Sequence, residues 1–217
     1  TGDVFTIAHE LGHAMHSYFS TENQPQAKAS YRIFVAEVAS TVNEVLLLKY
    51  MLKNTQDNKL KKYLLNYYMD MIKGTLFRQT QFAEFEQIAH GKVESGEPLT
   101  TDSLCKAYLE LNKKYYGRSV VSDPEIAYEW ARIPHFYRAF YVYKYATGIT
   151  SAISIAERIY NEGQPAVDDY FKFLSSGGSD SPVELLKLAG VDLTKKDAFE
   201  TAMNSFADAL EQFKAID

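Results

Sequence analysis

His9-Glu10-Leu11-Gly12-His13 places two imidazoles four residues apart, with a carboxylate immediately after the first. On a helix, residues i and i+4 stand one above the other on the same face, so both rings can grip one ion from a rigid platform. Glu10 then projects beside the ion without having to bind it. There it can take a proton from a zinc-bound water and deliver it to a leaving amine. Zinc lowers the pKa of that water toward about 7, which makes attack possible at neutral pH. A chain of this size matches the pattern by chance on the order of once in a hundred. One zinc ion (Zn2+) is therefore the expected cofactor, with His9 and His13 as ligands and Glu10 as the base.

A hydrolytic zinc site needs a third protein ligand and an open fourth position. The metzincin arrangement would require Gly three residues after His13 and His six after it, but those positions hold His16 and Phe19. A glutamate from the following helix is the other common solution. Glu37 and Glu44 lie in Val35-Ala36-Glu37-Val38-Ala39-Ser40-Thr41-Val42-Asn43-Glu44, an otherwise apolar stretch where an unpaired charge is costly to bury. Their seven-residue spacing is about two helical turns, so they share a face. Glu37 is the expected third ligand. Glu44 lies about 10 Å further along, too far to share the ion. It is either a hydrogen-bond partner for a ligand histidine or an ordinary salt-bridged acid. His16 is roughly on the ligand face but displaced from the metal, which leaves it a supporting or a purely structural role.

The elements that must position these groups read as helices almost throughout. Val4, Ile7, Ala8, Leu11, Met15 and Phe19 recur at helical spacing, with Asp3 as the expected N-cap. A polar loop with Pro25 follows, then helices over about 33–53 and 58–90, the second rich in Tyr, Phe, Leu and Met. Thr101 or Asp102 is expected to cap a helix that Gly117 stops, and Asp123-Pro124 to open another. Pro134 predicts a break and a new helix over about 135–161, before three shorter ones near 165–175, 182–189 and 195–215. No period-2 strand of useful length and no linker interrupts the pattern. The expected fold is all-α, one domain over 1–217.

Composition narrows the function classes. The 217 residues are 46% apolar and 24% charged, enough for a sizeable core and inconsistent with a disordered tail. Lys and Arg number 23 against 28 Asp and Glu, a net charge of −5, so nucleic acid is not an expected partner. The one cysteine, Cys105, excludes a Cys-based zinc cluster and favours a reducing, cytoplasmic location. Apolar runs such as Val45-Leu46-Leu47-Leu48 stop far short of a membrane span. The chain lacks an initiator methionine and reaches its chemical motif by residue 9, which reads as the C-terminal piece of a longer protein.

Thr6-Ile7-Ala8-His9-Glu10-Leu11-Gly12-His13-Ala14-Met15-His16-Ser17 resembles the zinc helix of the oligoendopeptidase F family, relatives of thimet oligopeptidase. Phe34-Val35-Ala36-Glu37-Val38-Ala39-Ser40 is similar to the family's downstream glutamate and small-residue turn. Gln79 to Glu86, Ile133 to Gly148 and Ser181 to Asp192 agree as well, so the resemblance spans nearly the whole chain. It implies a zinc metalloendopeptidase acting on short, unstructured peptides, with this chain as the C-terminal catalytic portion of a multi-helix, deep-channel enzyme. The remainder of the enzyme, or a second copy, would be a partner.

The resemblance also implies a histidine and tyrosines that stabilise the tetrahedral oxyanion. His135 fits the histidine. The position five residues later is Phe140 rather than tyrosine, which leaves Tyr141 and Tyr145, one turn apart, as the candidates. Two rival readings remain: a carboxypeptidase on the same helix platform, and a non-catalytic peptide-binding or scaffold module with a structural metal. Glu10 argues against the second, because a structural site needs no base.

Overall fold

In the computed structural model, which describes residues 2–216, helix α1 (Gly2–Asn23) carries the His-Glu motif. The apolar residues that betray this helix in the sequence are not the ones it buries. Phe5, Gly12, His16 and Ser20 face inward, whereas Val4, Ile7, Leu11 and Met15 are exposed. Asp3 lies within the first turn rather than capping it. After the single turn α2 (Gln26–Ala29), α1 packs along α3 (Ile33–Asn54).

Sterics choose that face. A Cβ on Gly12 would lie 2.5 Å from the Ser40 Cα and 2.6 Å from the Ala39 carbonyl oxygen. Only glycine at one helix and small residues on the other allow this approach. The Asn43 side chain adds a tie, donating to the Ala8 carbonyl oxygen at 3.2 Å. On α3 itself, Val35, Val38, Val42, Val45 and Leu48 are fully buried, each worth about 1.5–3 kcal/mol of transfer free energy. That row anchors the helix, so the two carboxylates between its members are held at fixed positions.

The chain continues through α4 (Asn58–Ile72), α5 (Arg78–Glu94), α6 (Thr101–Tyr116), α7 (Tyr143–Glu162), α8 (Gln164–Leu174), α9 (Pro182–Leu188) and α10 (Asp197–Lys214). Among the described residues every regular element is helical, as the periodicity requires. None of these helices is long and apolar enough to cross a membrane. The residues gather into two compact units: the chain up to Ile72 together with that from Thr147 on, and Lys73–Ala146. In the first, α3 residues share a core with Ile155 of α7, Phe173 and Leu174 of α8, and Leu185 and Leu186 of α9. α4 packs on α10, where Tyr68 Oη and Ser205 Oγ are 2.8 Å apart.

In the second unit, Phe82 and Phe85 of α5 pack with Tyr108 and Leu111 of α6, Ile133 and Val142. The buried Glu129 carboxylate is compensated by Tyr108 Oη at 2.5 Å, Arg78 Nη2 at 2.6 Å, and Arg132. The sequence expectations differ from the structure at several element boundaries. The expected 58–90 helix is α4 and α5 joined by a π turn at Lys73–Phe77, which contains the weak helix former Gly74. Helix α6 is capped by Thr100, in a reciprocal pair with Ser103, rather than by Thr101 or Asp102. The segments after Pro124 and Pro134 are 3-10 turns, Pro124–Arg132 and Pro134–Tyr137, and α7 starts only at Tyr143.

Candidate active site

The close contact at Gly12 turns His9 and His13 toward α3, where Glu37 meets them. His9 Nε2 and His13 Nε2 are 3.2 Å apart, and Glu37 Oε2 lies 3.3 Å from the first and 3.4 Å from the second. Donors about 2.0–2.1 Å from a tetrahedral ion are separated from each other by about 3.3 Å. The triangle thus has the size of one face of such a site. Its chemistry, two imidazoles and one carboxylate, is also the donor set of a hydrolytic zinc centre. The residues fit the ion that the sequence pattern implies.

His9 is gripped from both sides. Its Nδ1 lies 2.7 Å from Glu44 Oε1, and Tyr67 Oη donates to Glu44 Oε2 at 3.1 Å. The seven-residue spacing on α3 therefore straddles one imidazole, with Glu37 at Nε2 and Glu44 at Nδ1. A proton on Nδ1 shared with Glu44 leaves the Nε2 lone pair free for a metal. Burial, and then the Glu44 charge, push the Tyr67 hydroxyl up, so it remains a donor at neutral pH. The Tyr67 ring stacks on buried Phe5 at 4.4 Å, which holds the hydroxyl in place. Ser40 Oγ lies 3.2 Å from Glu37 Oε2, and Glu10, next to His9, is exposed to incoming water.

His16 belongs to the core. It is 1% exposed, stacks on Tyr31 at 3.7 Å, and lies 5.2 Å from Phe173. Burial, with the nearby His13, pulls its pKa down to about 4, so it is neutral at pH 7. Gly12 and Tyr67 are the residues that reading the motif alone misses. A glycine inside a helix costs about 1 kcal/mol against alanine, so its presence between the two histidines is a packing signal. Tyr67 carries no such signal in a chain with 16 tyrosines.

The three residues named by resemblance lie together in Lys73–Ala146. His135 Nε2 and Tyr145 Oη are 3.3 Å apart, and the Tyr141 ring lies 5.9 Å from His135 and 5.7 Å from Tyr145. Tyr141 does not share a helix with Tyr145, contrary to the one-turn spacing expected. Phe140 leaves the helical path at φ 53°, and its N–H donates to Glu86 Oε1 at 2.9 Å. A left-handed non-glycine residue costs about 1–3 kcal/mol unless its surroundings enforce it. Here the buried Glu86 carboxylate does so, and the turn delivers Tyr141 beside His135. On α5, the His90 ring packs 4.5 Å from that of Phe140.

The sequence matches the model of peptidase family M3 over residues 1–205. It is 48% identical to oligopeptidase PepF of Bacillus subtilis, over 99% of the chain and 32% of that protein. It is 49% identical to an oligoendopeptidase F homolog of Borreliella burgdorferi, over 99% of the chain and 36% of that protein. Among solved structures, oligoendopeptidase-F from Enterococcus faecium superposes with a TM-score of 0.90 at 45% identity, covering 99% of this chain and 39% of that one. A putative peptidase from Chlamydophila abortus gives 0.94 at 44% identity, covering 100% and 36%. The chain thus spans about a third of the length of the curated relatives it matches.

Proposed function

Because the chain belongs to peptidase family M3, we propose that it carries the metal centre and general base of a zinc-dependent endopeptidase acting on short, unstructured peptides. The observation that carries this reading is the triangle of His9 Nε2, His13 Nε2 and Glu37 Oε2, each 3.2–3.4 Å from the others. A zinc ion held there supplies Lewis acidity, which makes water more acidic and polarises a scissile carbonyl.

The remaining work falls to the chain's own groups. Glu44, steadied by Tyr67, holds the His9 proton on Nδ1 and so keeps Nε2 a donor atom. Glu10 accepts a proton from the attacking water on its carboxylate and passes it to the nitrogen of the leaving amine. His135, Tyr141 and Tyr145 donate hydrogen bonds to the oxyanion that develops on the former carbonyl oxygen. The exposed Glu10 supports catalysis over a purely structural metal site.

Two substitutions test the reading. Glu10→Gln should retain metal and abolish hydrolysis, whereas Glu37→Ala should lose metal and turnover together. Metal loss in Glu10→Gln would make Glu10 a ligand, and full occupancy in Glu37→Ala would remove Glu37 from the ligand set. A quenched-fluorescent peptide blocked at both ends separates the activities. Cleavage marks an endopeptidase, and cleavage only with a free C-terminus marks a carboxypeptidase.

A further inference from the structure

The 3-10 turn Pro134–Tyr137 ends at Arg138, and the next turn returns the chain to His135 through Tyr141. Pro134, His135, Arg138 and Tyr141 line a cleft of about 240 Å³, roomy enough for one side chain or chain terminus but not for a folded ligand. The Arg138 guanidinium lies 5.9 Å from the centre of the Tyr141 ring, and Lys144 Nζ lies 4.8 Å from the same ring. Arg138 thus brings a positive charge to the cleft lining, in a chain whose net charge is −5.

Arg138 differs from the arginines that serve structure. Arg78 and Arg132 share the Glu129 carboxylate, and Arg158 holds Glu162 and Asp169. Among the described residues no carboxylate lies within ion-pairing distance of Arg138. Glu86, the acid that holds the adjoining turn, accepts from the Phe140 N–H through Oε1, and its buried carboxylate makes no ion pair with Arg138. With no carboxylate beside it, the Arg138 guanidinium keeps its planar fork of N–H donors free, and that fork matches a carboxylate in two parallel hydrogen bonds.

We propose that Arg138 forms a carboxylate subsite beside the oxyanion cluster, so that peptides bearing a carboxylate near the scissile bond are preferred. The carboxylate is either an acidic side chain or the peptide's free C-terminus, since both present the same two oxygens. The inference rests on the role given above to His135 and Tyr141, because the subsite matters only where substrate passes. A one-to-one exposed ion pair would change affinity by less than about fivefold, whereas two parallel charge-assisted hydrogen bonds from one guanidinium change it by about 10- to 100-fold.

Four quenched-fluorescent peptides of one sequence test it with the metal-loaded full chain. They carry Glu or Gln at a position following the scissile bond, each with a free or an amidated C-terminus. Wild type should favour one member of a pair by about 10- to 100-fold in kcat/KM, mostly through KM, and the pair that shows the difference identifies the carboxylate's source. Arg138→Gln should collapse that ratio to near one, and Arg138→Lys should keep part of it. No preference in wild type, or a ratio unchanged in Arg138→Gln, overturns the subsite. Failure of the underlying reading looks different: Tyr141→Phe would then cleave the neutral peptide with the wild-type kcat.

Discussion

Gly12 lies so close to Ser40 that a single methyl group at position 12 would sit 2.5 Å from the Ser40 Cα. The obstacle is backbone, which cannot swing aside as a side chain can. Gly12→Ala should therefore force α1 off α3, even though alanine is the better helix former. Overpacking of this kind costs about 1–3 kcal/mol. The displacement also opens the triangle, since its imidazoles belong to α1 and its carboxylate to α3. We expect a lower melting temperature together with reduced metal content after dialysis. Wild-type values of both would show that the two helices can part without disturbing the ligands.

Glu44 is expected to govern metal retention without touching the ion. Glu44→Ala leaves His9 Nδ1 and the Tyr67 hydroxyl without their shared acceptor. Losing such an outer partner costs about 10- to 100-fold in metal affinity. Competition with a chelator of known affinity measures the change directly. An unaltered affinity would reduce Glu44 to a packing residue.

The proposed oxyanion donors separate through the hydroxyl groups. Tyr141→Phe should leave KM nearly unchanged and lower kcat by about 100- to 1,000-fold, the effect of removing one donor to developing charge. Tyr145→Phe also removes the neighbour of His135 Nε2, and its kcat should fall in the same direction. Steady-state kinetics on one blocked peptide decides. A tyrosine whose removal leaves kcat unchanged returns to the packing residues.

His16 should make the protein acid-sensitive. Its pKa, ordinarily near 6.5, is pulled down to about 4 by burial and by His13. Between those values the unfolded chain binds a proton that the folded chain refuses, so stability is fully present above about pH 6.5 and falls as the pH drops toward 4. The loss is at most about 3 kcal/mol. His16→Phe retains a ring to stack on Tyr31 and should flatten this part of the stability–pH curve, as followed by urea unfolding. An equally steep decline in the variant would place the acid sensitivity elsewhere.

Much of the candidate site could be read without coordinates because its information is local. The pairing of His9 with His13 needs only the rise and pitch of one helix, and Glu10 follows from adjacency. The all-α fold was equally legible, since a 3.6-residue period needs no knowledge of the partners a helix will find. Glu37 could be singled out as an acid in an apolar run on the next helix.

Tertiary packing decided the rest. Which face α1 buries depends on how closely a backbone without a side chain can approach Ala39 and Ser40, and hydrophobic periodicity is silent about that distance. The same approach places Glu44 on the far nitrogen of His9 and brings Tyr67, 23 residues away, to its other oxygen. Tyr141 precedes α7 because Phe140 adopts a left-handed conformation against Glu86, 54 residues earlier. A sequence pattern records the preferences of each residue and its near neighbours. Contacts between distant segments form only when the cores around them are filled, so their geometry exists in the folded chain alone.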